Sequence, residues 1–129
     1  MTIKLKGKAK KEVAMRNVLV DTGAWYTFVK PSIIKKIKPM FIGFDDIELG
    51  NKKTVKAKVY VAKIIYKDRT FKLANIATFP DCAIAIGAHT LEGLGVWIDT
   101  RGRRLVTTRP KNVMYFHTGG CYKQAKEWK

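Results

Sequence analysis

The residues best suited to chemistry are Asp21, Thr22 and Gly23, within the run Val18-Leu19-Val20-Asp21-Thr22-Gly23-Ala24. Val18 to Val20 carry the apolar, β-branched signal of a buried strand. A strand that ends in Asp-Thr-Gly delivers one carboxylate to the mouth of a tight loop. Downstream, Ile84-Ala85-Ile86-Gly87 supplies the apolar segment that such a loop needs to pack against. One carboxylate is half of a reaction centre. Two held close together cannot both ionise easily, so they share a proton. The charged member then acts as a general base on water and the protonated member polarises a carbonyl. The chain holds one Asp-Thr-Gly, because Asp99-Thr100 is followed by Arg101, so such a centre needs two copies of the chain. Taken alone, the three residues fit a polar turn between two strands equally well.

The elements that must position Asp21 are short and β-like. The apolar pattern predicts strands over 13–20, 26–29, 44–49, 54–66, 70–78, 82–86, 96–98 and 104–107. Gly50-Asn51 reads as a hairpin tip, and Lys67-Asp68-Arg69 and Arg101-Gly102 as further tight connections. Two short helices fit between them. Pro31 suits the first turn of one, with Ile33, Ile34 and Ile37 on one face. Thr90 to Leu94 suits the other, closed by Gly95. The pattern predicts a small all-β barrel and one domain over 1–129, with its core at about 13–107 and a basic extension over 108–129.

Charge is the other strong feature. The 129 residues hold 26 Lys and Arg against 10 Asp and Glu, a net charge of +16. Residues 1–16 carry six basic and one acidic residue, net +5, and residues 101–129 carry eight and one, net +7. Such a balance attracts nucleic acid, anionic membrane surfaces or acidic proteins. It also fits a merely solvated basic surface, as where Lys56 and Lys58 alternate with apolar residues in Val55–Val61. No stretch approaches the ~20 apolar residues of a membrane span. The basic N-terminus, Met1 to Lys11, has no apolar segment after it and does not read as a signal peptide. Cys82 and Cys121 are therefore expected to be reduced thiols in a cytoplasmic protein.

In three places the chain resembles the retroviral-type (retropepsin-like) aspartic proteases, above all their single-domain prokaryotic cellular relatives. The first is Val20-Asp21-Thr22-Gly23-Ala24-Trp25-Tyr26-Thr27, followed by Phe28-Val29-Lys30-Pro31. The second is the tip Leu49-Gly50-Asn51 before a long valine-rich strand. The third is Ile86-Gly87-Ala88-His89-Thr90-Leu91-Glu92-Gly93-Leu94-Gly95, running into Val96-Trp97-Ile98-Asp99. The resemblance implies a closed-barrel-like acid-protease fold that works as a symmetric homodimer, with one aspartate per subunit at the two-fold axis. It implies an endopeptidase that hydrolyses peptide bonds and requires neither cofactor nor metal. Asp21 would be the catalytic carboxylate. Thr22 would hydrogen-bond to the partner's loop, and the Gly23 amide would hydrogen-bond the carboxylate. The hairpin around Gly50 would be a flap that closes over a peptide or protein substrate. Ala24, Trp25, Leu49, Gly50, Asn51 and Ile86 are the substrate contacts it suggests. The chain departs from the viral pattern where an arginine after the downstream glycine pairs with an aspartate past the catalytic loop. Here those places hold Ala88 and Trp25 or Tyr26.

Other assignments weigh less. Cys82, His89, His117 and Cys121 have no paired zinc spacing. Cys82 with His89 could form a thiol-protease pair, but a half-buried cysteine and a surface histidine are the simpler expectation. Trp25 and Tyr26 suit a substrate pocket or the core equally, and Trp97 suits the core. Two further readings stay open. One is a non-catalytic basic module of the same fold that binds nucleic acid or an acidic partner. The other is a peptidase whose acidic substrates are gathered by its charge.

Overall fold

Alternation of apolar and polar residues turns about half of the described residues into strands. The computed structural model describes residues 1–99 and 104–107. The stretch 108–129, His117, Cys121 and the turn at Arg101-Gly102 lie outside the described residues. Ile3 and Leu5 are buried and Lys4 is exposed in β1 (Ile3–Lys6). The chain then returns as β2 (Val13–Met15), paired antiparallel to β1. The strand expected over 13–20 is broken at Asn17, which takes a left-handed φ of 54°. It resumes as β3 (Leu19–Asp21), followed by β4 (Thr27–Phe28) and the helix α1 (Pro31–Ile37).

The long hairpin comes next. β5 (Met40–Glu48) pairs along its length with β6 (Thr54–Tyr66), and β6 pairs with β7 (Arg69–Thr78). β5 starts four residues earlier than the alternation of 44–49 predicts. Register shifts between Phe41 and Gly43 and between Ala62 and Ile64 interrupt the two ladders. Such irregularities bend and twist a strand. β6 accordingly buries Ala57 and Val59 in its first half and Ala62, Ile64 and Tyr66 in its second. The alternation changes face along the strand.

β8 (Ala85–Gly87) lies between two strands that are consecutive in the chain. It pairs parallel with β3 and antiparallel with β4. The helix α2 (Ala88–Leu94) leaves directly from Gly87 and ends at Gly95, whose φ of 68° suits glycine. The Val96 amide then donates to Leu91 O at 3.0 Å. A separate hairpin joins β9 (Trp97–Asp99) and β10 (Arg104–Val106).

The main sheet runs β2-β1-β6-β7-β4-β8-β3, with β5 also on β6. The protein is thus mostly β, with two short helices and a curled half-barrel sheet. The expected barrel closure is absent among the described residues. β2 and β3 are the two ends of the strand order, and β3 is only three residues long. Ile3, Leu5, Ile37, Ile64, Ile76, Ile86 and Leu91 are fully buried in the core between sheet and helices. Trp97 packs half-buried against this core. Among the described residues no helix is long and apolar enough to cross a membrane.

Candidate active site

Asp21 is the last residue of β3, and the register sets it opposite Gly87. Its position is fixed from three sides. The Ala24 amide donates to Asp21 O at 3.2 Å and turns the chain. The Ala88 amide donates to Ala24 O at 2.8 Å, which ties that turn to the start of α2. The Gly23 amide donates to Asp21 Oδ1 at 3.0 Å, the contact the resemblance implies. The carboxylate is exposed, Thr22 is half-buried beside it, and Leu19 on the same strand is 63% exposed.

Below the loop, polar groups are buried and satisfied. Thr27 and Thr90 are fully buried, and their hydroxyl oxygens lie 2.7 Å apart. Thr27 Oγ1 also accepts the Gly87 amide at 3.1 Å. One threonine thus joins β4, β8 and α2 under the Asp21 loop. Thr27→Val keeps the shape but orphans the Gly87 amide and the Thr90 hydroxyl. A buried donor without a partner costs about 1–3 kcal/mol. Thr27→Val is therefore expected to lose about 2 kcal/mol in urea unfolding, with a smaller loss for Thr90→Val, which spares the Gly87 bond.

Asp21 opens into a cleft of about 820 Å³. One wall is the loop, including Gly23, Ala24 and Trp25, and the other is the β5 side of the hairpin, from Asp45 to Gly50. The hairpin tip is closed by Leu49 N to Lys53 O at 2.8 Å and by Lys53 N to Asn51 Oδ1 at 3.0 Å. Lys52 takes the left-handed conformation there, with φ 65°. Among the suggested substrate contacts, Ala24, Trp25, Leu49 and Gly50 line the cleft. Asn51 does not line it; its side chain is used in closing the tip. Ile86 requires a correction. It is fully buried in the core cluster and does not line the cleft, because its side chain faces the packed interior of the sheet.

Trp25 lies at the cleft and outside the core cluster. Its ring stacks on His89 at 4.3 Å with a 21° interplanar angle. His89 is half-buried between Trp25 and the edge of Phe71, at 5.2 Å, and is not the surface residue expected. Burial lowers its pKa. Cys82 is buried, its thiol contacts Ala83 O at 3.3 Å, and burial pushes its pKa up. That is the reverse of an activated thiolate. Among the described residues no group of three His, Cys, Asp or Glu is placed to hold a metal ion.

One contact has no signal in the sequence. Tyr26 OH donates to Asp45 Oδ2 at 2.6 Å, joining the loop after Asp21 to the hairpin strand. Burial, then this hydrogen bond and the carboxylate charge, raise the phenol pKa to about 12. The unfolded chain would ionise it at its ordinary value of 10.0. The stabilisation is thus complete below pH 10 and fades as pH climbs toward about 12. Tyr26→Phe is expected to flatten that alkaline loss of stability, read as thermal midpoint against pH. Tyrosinate absorbance of the wild type should show one tyrosine titrating late.

No protein-family model matches the chain, and no curated protein matches it. Among the described residues no lysine or arginine lines the cleft, whose charged wall residues are Asp21, Asp45, Asp46 and Glu48.

Proposed function

We propose that this protein is an aspartic endopeptidase of the retropepsin-like type, formed as a symmetric homodimer with one Asp21 from each chain. The observation that carries this reading is the setting of Asp21. An exposed carboxylate is oriented by the Gly23 amide at the end of a strand braced by β8, and it opens into a cleft flanked by a hairpin. The cleft is large enough for a peptide segment. The β3 end of the sheet, where Leu19 is exposed, leaves room for a partner beside Asp21.

The chemistry follows from the pair. Two carboxylates at close range share one proton. The ionised Asp21 removes a proton from a water molecule held between the two chains. The protonated Asp21 donates a hydrogen bond to the scissile carbonyl oxygen. Water attacks the carbonyl carbon, the tetrahedral intermediate collapses, and the leaving amine takes a proton. The Gly23 amide keeps each carboxylate in position throughout. The hairpin, held at its base by Tyr26 and Asp45, excludes bulk water. The test is hydrolysis of a peptide library by the purified protein, with cleavage sites read by mass spectrometry. Cleavage that an Asp21→Asn preparation lacks supports the reading, and equal cleavage by both removes it.

A further inference from the structure

A second functional surface lies at the other end of β6 and shares no residue with the cleft. The antiparallel register sets Lys6 of β1 directly opposite Lys63 of β6. On the other side of β6, the register shift between Ala62 and Ile64 sets Lys63 against Lys72 and Leu73 of β7. Lys6, Lys63 and Lys72 therefore form a row across three neighbouring strands, which are spaced about 4.8 Å apart. They line one shallow depression of about 230 Å³ together with Lys8. Its other lining residues are Gly7, Met40, Val61 and Ala62.

The three strands that carry this row supply no carboxylate to it. Ile3–Lys6, Thr54–Tyr66 and Arg69–Thr78 contain no aspartate or glutamate. Among the described residues none of the four lysines makes an ion pair; the ion pair found is Arg104 with Asp99. Like charges directly opposite on adjacent strands destabilise a sheet, and at physiological salt charges within about 8 Å still feel one another. Four of the acidic residues, Asp21, Asp45, Asp46 and Glu48, gather at the cleft, while Glu12, just before β2, flanks the row on the far side of β1, and among the described residues it makes no ion pair with it.

We infer that this lysine row binds the phosphate backbone of a nucleic-acid strand. A line of cations on a rigid sheet complements a line of anions. Among the described residues no aromatic ring lines the depression for a base to stack on, so the binding is independent of sequence. The surface acts independently of Asp21.

The experiment uses the full chain and a fluorescein-labelled oligonucleotide of mixed sequence, followed by anisotropy as salt is raised. Neutralising about three phosphates gives a slope of about −2.1 to −2.7 in log affinity against log salt, or roughly 20–40-fold weaker binding from 50 to 200 mM. The triple variant Lys6→Gln/Lys63→Gln/Lys72→Gln should bind at least tenfold more weakly, with a slope flatter by about 2. It should keep or raise the wild-type thermal midpoint, since a like-charge row has been removed. A control that loses the same charge on and before α1, Lys30→Gln/Lys35→Gln/Lys36→Gln, should change affinity less than twofold. Asp21→Asn should bind as the wild type does, whatever its peptidase result. Equal losses in the two triple variants would overturn the assignment by showing diffuse attraction to net charge. Absence of binding at 50 mM salt would overturn it too, as would phosphatidylserine-vesicle binding that the oligonucleotide fails to compete away.

Discussion

Asp21→Asn is expected to leave the thermal midpoint and the oligomeric state unchanged and to lower peptide hydrolysis by about 10⁴-fold. General acid–base catalysis contributes about 10²–10⁴-fold, and in a symmetric dimer the substitution removes base and acid together. The carboxamide is nearly the same size as the carboxylate, and its oxygen can still accept the Gly23 amide that Asp21 Oδ1 accepts at 3.0 Å. Asp21 is exposed and contributes nothing to the core. Stability should therefore stay within about 0.5 kcal/mol of the wild type. Activity assays beside differential scanning calorimetry separate the two effects. A folded variant with wild-type turnover would place the chemistry elsewhere.

Gly87→Ala is expected to be strongly destabilising although it adds a single methyl group. A Cβ at Gly87 would stand 2.6 Å from Trp25 O and closer still to Tyr26 O. Both obstacles are backbone, so no side chain can swing aside. Relief must come from moving β8 away from the loop, which breaks the Asp21–Gly87 register and the Gly87 amide bond to Thr27. Overpacking of this kind costs about 3 kcal/mol. A displaced loop also misaims the carboxylate, so peptidase activity should fall together with stability. Urea unfolding gives the first number and initial rates give the second. Gly50→Ala is the matched control: nothing lies within 4 Å of its added methyl group. It should stay within about 0.5 kcal/mol of the wild type. A Gly87→Ala protein as stable as that control would mean that the loop is not clamped as described.

The local part of this architecture was legible from residue types. The alternation in Thr54–Tyr66 marks β6 to the residue, and Gly95 marks the end of α2. Asp-Thr-Gly after three apolar residues marks the end of β3. Other features were obscured for identifiable reasons. β1 carries a clean buried and exposed alternation, but it is only four residues long and two of them are lysines, so charge density hides the strand. The first residues of β5, Met40 to Ile42, are exposed and apolar, and no alternation announces them. The break at Asn17 depends on one left-handed residue inside an otherwise β-favouring run.

The site was legible in part for the same reasons. Asp21, Gly23, Trp25 and the hairpin could be placed from motif and order. Ile86 could not, because apolar type alone does not tell a cleft wall from a core strand, and only the packing of the folded sheet decides it. Tyr26 with Asp45 and Thr27 with Thr90 are separated by 19 and 63 residues. A polar residue in one chain does not name its distant partner. The lysine row was visible only as excess charge, since cross-strand register is what turns scattered lysines into a line.

Titrating a fixed amount of wild-type protein with rising Asp21→Asn protein, after subunit exchange, interrogates the shared centre most directly. If each chain supplies one of two required carboxylates, mixed dimers are dead and peptidase activity falls toward zero as the variant comes into excess. Activity that stays constant through the titration would show that a chain works without its mate, and would contradict a reaction centre built from two Asp21 side chains.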